Sequence, residues 1–433
     1  MGTSLLKSLF WPGGALMLAS LVLIGTGIVP LSAAAVEFYF WAVFSAGLFL
    51  AWRFHSSRIF SALITLFLAS RAMEFFSAGK LGISGPGRIA FEAVAFLLPL
   101  NFLLVSWVRE RGLTLVALGP RLCVLLLEAV FAAVICRPDE KSAPWFLRAR
   151  FVSEHLFRWT KLPQPALVLF VFAFGVLLGR VLLYHKATDI GLLWSLAVAS
   201  IALQTGGVGR VATAYFGTAA LVLVASLVEN SYFLAYHDEL TGLPGRRAFN
   251  EAILQLPECF AIAAVDIDHF KSFNDTYGHD TGDQVLRLVA RRLAHVSGGG
   301  EAFRVGGEEF TILFRGKHAD DVVSQAEQLR REIEISEFRA RGIVDRRAVA
   351  RGPERRQLAH TSKKRKAVQS GSGELSVTIS IGIAGTNTGL KDVEQVILAA
   401  DKALYKAKQN GRNRVETAGT QRTRRPRLKR SIA

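Results

Sequence analysis

The first half of the chain is written in long apolar stretches separated by short polar ones. They fall at roughly 13–31, 38–52, 59–76, 89–108, 114–135, 165–183, 189–204 and 211–228. Each is apolar around its whole circumference, and most approach the ~20 residues a helix needs to cross a hydrocarbon core. About eight membrane spans are expected within residues 1–230, and the shorter stretches leave seven or six open. The last stretch continues from Val228 to Tyr236 without Gly or Pro, which predicts a helix running on through a linker at 231–237. No heptad repeat follows, so no extended coiled coil is expected.

Past residue 237 the pattern shortens and alternates. A run at 261–265 reads as a buried strand. Val285, Leu286, Val289 and Leu293 recur at helical spacing and predict an amphipathic helix over 282–295. Apolar runs at 303–305 and 310–314 flank Gly306 and Gly307, which predicts a hairpin closed by a two-residue primed turn with positive φ at the glycines. Helices over 319–335 and 393–409 and a strand over 375–382 complete a mixed α/β domain.

Charge changes the picture only locally. The net charge is +17, of which residues 339–368 carry +9 and residues 411–433 carry +7. The segment 339–373 reads as a basic insertion and 417–433 as a basic, disordered tail. Neither contains an aromatic residue, which argues against single-stranded nucleic acid, and contact with anionic lipid is the expected partner. Cys123, Cys136 and Cys259 show no metal-ligand spacing and read as packing residues. Arg71, Glu74, Arg121 and Glu128 fall inside predicted spans. Arg71 and Glu74 lie three residues apart and are expected to pair; such charges either hold helices together or line a ligand pocket. The segment 145–159 mixes aromatics with arginines and reads as an amphipathic helix at the headgroups or as a loop folded over helix ends.

The candidate chemistry lies in three short motifs. Asp266 closes the predicted strand at 261–265, and Glu308 and Glu309 follow the glycine pair. Carboxylates brought together by neighbouring strands suit Mg²⁺, which takes hard oxygen ligands and substrate phosphates. Phe270 and Lys271 open a helix whose free amides suit a triphosphate. Asp268 shares a strand face with Asp266, and Glu309 alternates away from Glu308, so both rank as secondary.

The runs Val265-Asp266-Ile267-Asp268-His269-Phe270-Lys271, Asp238-Glu239-Leu240-Thr241-Gly242-Leu243 and Arg304-Val305-Gly306-Gly307-Glu308-Glu309-Phe310 resemble the GGDEF family of diguanylate cyclases. The resemblance covers roughly 238–415. It implies a palm-like, ferredoxin-like nucleotidyl cyclase fold for 238–416 behind a multi-span α-helical membrane domain. It implies that two GTP molecules are joined into cyclic di-GMP at a homodimer of domains. By the same resemblance Asp266, the Ile267 carbonyl and Glu308 hold Mg²⁺ or Mn²⁺, and Glu308 assists the attacking hydroxyl. Asn274 and Asp283 read guanine, His279 completes the turn beside them, and Gly306 and Gly307 let the nucleotide approach. Lys408 and Arg412, four residues apart, are expected to share a helical face and grip the terminal phosphates. Gly245 replaces the family's asparagine before the two arginines and is expected to keep its left-handed turn. Ser297 and Gly300 stand where many members carry Arg-x-x-Asp, so inhibition by product at that site is expected to be lost. GTP places the catalytic domain in the cytoplasm and the spans in a bacterial inner membrane. A non-catalytic domain that binds GTP or cyclic di-GMP for a membrane sensor is the alternative.

Overall fold

This computed structural model describes residues 10–27, 32–78, 85–137, 144–157, 159–336, 338–339, 374–386 and 392–419. The bulk of the basic insertion, 340–373, and the tail from 420 lie outside them. Two compact units divide the chain, Met1–Phe233 and Leu234–Ala433.

The first unit is all helical among its described residues. Its helices are α1 (Gly13–Gly25), α2 (Ala33–Arg53), α3 (Ser57–Ser77), α4 (Pro86–Trp107), α5 (Leu115–Ile135), α6 (Gln164–Tyr184), α7 (Ala187–Gln204) and α8 (Gly209–Tyr236). Seven of them, α2 to α8, are long and apolar enough to cross a membrane, while α1 has only 13 residues. The unit is apolar inside and out. Phe40, Phe44, Phe91 and Phe216 fill its centre, while Phe38, Phe75 and Leu115 face outward. That double apolarity suits a lipid surround rather than water. Helices approach closely where side chains are small: a Cβ on Gly191 of α7 would lie 2.1 Å from the Ser226 hydroxyl of α8.

Several charges in this unit are met by protein partners. Asp189, fully buried, is held by Arg58 and by Arg180 at 3.2 Å. Glu110 accepts from the Ser57 and Arg58 amides at 2.7 and 3.2 Å and so caps α3. Arg71 and Glu74 do not pair. Glu74 instead accepts from the Gly209 amide and the Thr213 hydroxyl, both at 3.3 Å, and Arg71 stacks 4.4 Å from the Phe40 ring centre. The α8 start offers Glu74 free amides, and the arginine finds an aromatic face instead of a carboxylate. Within 145–159 there are two short 3₁₀ turns, Trp145–Leu147 and Glu154–Phe157, in place of an amphipathic helix. Gln164 pins this segment by accepting from the Phe151 and Val152 amides at 2.6 and 3.0 Å.

The second unit begins within the end of α8 and adds α9 (Arg246–Ile253), β1 (Phe260–Ile267), α10 (Phe270–Tyr277), α11 (His279–Leu293), β2 (Gly300–Arg304) and β3 (Glu309–Arg315). It continues with α12 (Val323–Glu334), β4 (Phe338–Arg339), β5 (Glu374–Leu375), β6 (Ile379–Gly385), α13 (Val393–Gln409) and β7 (Val415–Thr417). The main sheet runs β2-β3-β1-β6-β7, antiparallel except for the β6–β7 pair. This is the palm-like nucleotidyl cyclase arrangement, with helices on both faces. All eight residues of β1 are buried because both faces are covered. Ala261, Ala263, Val265 and Ile267 pack with α11 and α12, and Phe260, Ile262 and Ala264 pack with α9 and α13. The predicted strand over 375–382 divides: β5 pairs with β4 at the root of the insertion, and the sheet strand starts only at Ile379. Gly382 sets how closely α13 lies on the sheet, since a Cβ there would sit 2.0 Å from the Leu404 amide nitrogen.

Candidate active site

Asp266 is placed by β1 between two neighbours, with Glu309 as its Cα partner on β3 and Ser380 on β6. Its side chain is 6 % exposed, and Lys408 on α13 reaches it with Nζ 2.8 Å from Oδ2. Burial pushes the Asp266 carboxyl up; Lys408 opposes that, and the charges of Glu309 and Asp268 add to it. Burial also raises Glu308, helped by the like charges of Asp266 and Glu309 and opposed by Lys408. Asp401 is raised by burial and by Glu309. Like charge therefore outweighs the one lysine that Asp266 and Glu308 feel, and Glu309 links Asp401 to the same group.

Three features of this group were not read from the sequence. Glu309 lies opposite Asp266 in the register, because Glu308 belongs to the turn and only Glu309 enters β3. Asp401 was not singled out; it stands seven residues before Lys408, a spacing that returns to the same helix face. Asp268 is committed to structure. Ser380 and Thr378 hydroxyls donate to it at 2.7 and 2.8 Å, and the Asn413 amide donates at 3.0 Å. Those bonds tie β6 and the turn after α13 to the end of β1.

The glycine turn also differs from expectation. Neither Gly306 nor Gly307 has a positive φ. The Val305 and Gly306 amides both donate to the Glu309 carbonyl, at 3.1 and 3.2 Å, so the connection is wider than a two-residue primed turn. A Cβ on Gly306 would lie 2.5 Å from Glu309 Oε2, so a side chain there would displace that carboxylate. Arg304 holds the turn from within, donating from Nε to the Gly306 carbonyl at 3.2 Å and from Nη2 to that of Gly307 at 2.6 Å.

Arg304 Nη1 also donates to Asp238 Oδ1 at 2.6 Å, and the Thr241 amide and hydroxyl share that oxygen. Burial works to raise Asp238, but these bonds and the arginine charge together hold it below the usual range. Asp238 lies two residues past the end of α8, so one side chain links that helix end to the turn bearing Glu308. Backbone bonds run parallel, from the Gly245 amide to the Tyr236 carbonyl at 2.7 Å and from the Arg304 amide to the Pro244 carbonyl at 2.8 Å. Gly245 is extended, with φ −89°; the left-handed residue of this turn is Gly242.

A second group forms where α10 meets α11. His269 adopts φ +57°, which turns the chain sharply from β1 into α10. Phe270 is buried in the core, while Lys271 is exposed in the first turn. Asn274 Oδ1 is buried without a hydrogen-bond partner, and a Cβ on Gly282 would meet it at 1.8 Å. Asp283, half-buried, follows that glycine, and His279 opens α11 in an exposed position. An orphaned acceptor beside a carboxylate is a ready partner for a ligand edge rich in N–H groups.

Lys408 and Arg412 do not share a helical face. Helix α13 stops at Gln409, and Gly411, Arg412 and Asn413 all take positive φ. Among the described residues there is no group of three or more His, Cys, Asp or Glu side chains that could hold a metal ion. Asp266 and Glu308 nevertheless offer hard oxygen donors, and the mutual repulsion of the two carboxylates is what a divalent cation would relieve.

Residues 235–346 and 350–414 match the family model described as diguanylate cyclase, GGDEF domain. Among curated proteins, the chain is 35 % identical to diguanylate cyclase A of Treponema denticola over 159 residues, 36 % of this chain and 35 % of the relative. It is also 35 % identical to diguanylate cyclase VdcA of Vibrio cholerae over 185 residues, 42 % of this chain and 46 % of the relative. Among solved structures, it is similar to the coiled coil and GGDEF domain of DgcB from Caulobacter crescentus in complex with c-di-GMP. That match has 31 % identity and a TM-score of 0.35, covering 44 % of this chain and 90 % of the other. The chain spans between about a third and a half of the length of the curated relatives it matches.

Proposed function

The C-terminal unit is a GGDEF domain, and from that premise we propose that this protein is a diguanylate cyclase, condensing two GTP molecules into cyclic di-GMP and two pyrophosphates. The observation that carries the proposal is the electrostatic coupling of Asp266, near the end of β1, to Glu308, in the turn that leads into β3. In this reading each domain holds one GTP, and two domains face each other. Each 3′-hydroxyl attacks the α-phosphate bound by its partner.

The chain's own residues supply the rest. Asp283 and the unpartnered Asn274 Oδ1 accept from the guanine N1–H and exocyclic amine, a pair of donors that adenine lacks. The amides opening α10 and the Lys271 ammonium face phosphate charge. Glu308, held basic by burial and by its acidic neighbours, accepts the proton of the 3′-hydroxyl. Mg²⁺ or Mn²⁺, bound by Asp266, the Ile267 carbonyl and Glu308, would neutralise phosphate charge and favour ionisation of the hydroxyl. Lys408, which occupies Asp266 in this structure, is then free to turn to the phosphates. Activity in an inner membrane, with the GGDEF domain in the cytoplasm and the apolar unit controlling how two domains meet, completes the proposal.

The test is incubation of the full chain in detergent with GTP and Mg²⁺, with products separated by chromatography. Cyclic di-GMP formed by the wild type and not by Glu308→Ala supports the proposal. Binding of GTP or cyclic di-GMP with no turnover by the wild type would sink it in favour of a receptor domain.

A further inference from the structure

At the end of the apolar unit where α8 begins, a cavity of about 1010 Å³ opens between the start of α4, residues 148–153, His155, Phe157 and 160–163, and the start of α6. Its lining includes Arg88, Arg148, Arg150, Lys161 and His155, and a single carboxylate, Glu92, among the described side chains. Glu92 is 4 % exposed and receives Arg88 Nε at 3.0 Å and Arg148 Nε at 2.6 Å. Both arginines therefore use one nitrogen on Glu92. Among the described residues the terminal nitrogens of both have no hydrogen-bond acceptor, and neither has Lys161 Nζ. One buried carboxylate thus orients two guanidinium groups whose remaining N–H donors border an open, cationic space.

Surplus cations around a cavity have a cost unless an anion or water meets them, and a guanidinium fork matches carboxylate and phosphate oxygens in pairs. The cavity wall is also fixed rather than loose. Gln164 bonds the Phe151 and Val152 amides and the Val152 carbonyl, and Gln204 accepts from the Lys161 amide at 3.2 Å and donates to the Thr160 hydroxyl at 2.6 Å. Gln204 is the last residue of α7, five residues before α8. The wall is therefore hydrogen-bonded to the connection that leads into α8.

We propose that this cavity binds an anionic ligand through carboxylate or phosphate groups, clamped by the terminal nitrogens of Arg88 and Arg148 with Lys161 beside them. Glu92 is a positioning residue that holds the two forks. The proposal is independent of the reaction assigned to the GGDEF domain, because occupancy is read without it.

The experiment uses the full chain in phosphatidylcholine nanodiscs. Thermal unfolding is followed during titration with citrate or inorganic phosphate, against sodium chloride at matched ionic strength. The expected result is a saturable rise in melting temperature with citrate, phosphate or both. The half-saturation concentration should move up about tenfold in Arg88→Gln/Lys161→Gln. Should that double variant not melt cooperatively, Lys161→Gln alone decides, with a weakening of about threefold expected, since Nζ has no protein partner to lose. A second arm adds phosphatidylglycerol to the discs. Stabilisation by that lipid alone, lost in the variant, identifies the anion as a headgroup and upholds the site; stabilisation by citrate or phosphate identifies a free solute. Equal effects of all anions and sodium chloride, with no effect of phosphatidylglycerol, overturn the proposal, as do superimposed curves for wild type and the deciding variant.

Discussion

The two units bury charge in opposite ways. Among the described residues of the apolar unit both buried acids are met in place, Asp189 by Arg58 and Arg180 and Glu92 by Arg88 and Arg148. In the GGDEF domain the buried Asp266 pairs with Lys408 yet also feels the like charges of Glu309 and Asp268, and Glu308 feels those of Asp266 and Glu309. Balanced charge fixes helices to one another. Unbalanced charge stores repulsion that protonation or a bound cation removes, and it points to a candidate ligand site. By the same measure the cavity at Arg88 and Arg148 is the exception within the apolar unit, with the sign reversed.

The sharpest way to break this contrast is to remove one acid from each unit. Glu308→Ala should lower cyclic di-GMP formation by roughly 10²–10⁴-fold, while leaving the thermal melt of the domain unchanged or higher, because a repelling charge has gone. A clear loss of stability would mean that Glu308 is balanced after all. Asp189→Ala should do the reverse. It strands Arg58 in the core at a cost of roughly 3–5 kcal/mol, read as loss of the monodisperse peak in detergent size exclusion.

Smaller effects sharpen the picture around the site. Gly382→Ala places a methyl against the backbone of α13 and should cost about 1–3 kcal/mol in urea unfolding of residues 234–433. Arg304→Lys keeps the charge but loses the fork to the Gly306 and Gly307 carbonyls. It should cost about 1 kcal/mol of stability and lower kcat by a larger factor, since the turn carrying Glu308 loosens. Equal losses of both would make Arg304 merely structural.

The smallest effect is a pH dependence. Arg330 bonds Glu327 and Glu334, and the Arg330 bond first of all holds Glu327 below the usual glutamate value of 4.5. A carboxyl lowered in the folded state contributes fully above its unfolded value and loses that contribution as pH falls through its folded value. Stability of residues 234–433 should therefore begin to fall below about pH 4.5 and fall less in Glu327→Gln.

Local pattern and long-range contact divided the work. Apolar runs set where the eight helices of the first unit lie, and helical spacing set α13 at 393–409, because both depend on residues within a turn or two of each other. The three motifs that resemble GGDEF domains were equally legible, since each is a short contiguous run. What the sequence left open was pairing across distance. It set Arg71 beside Glu74, Lys408 beside Arg412 and Glu309 on the face away from Glu308. The fold gave Glu74 the start of α8, ended α13 before Arg412, and set Glu309 opposite Asp266. It also committed Asp268 to β6 and gathered Arg88 and Arg148, sixty residues apart, on Glu92. Periodicity fixes which way a side chain points within its own element; only packing fixes which charge stands at the other end, and that partner decides whether a buried acid is a strut or a site.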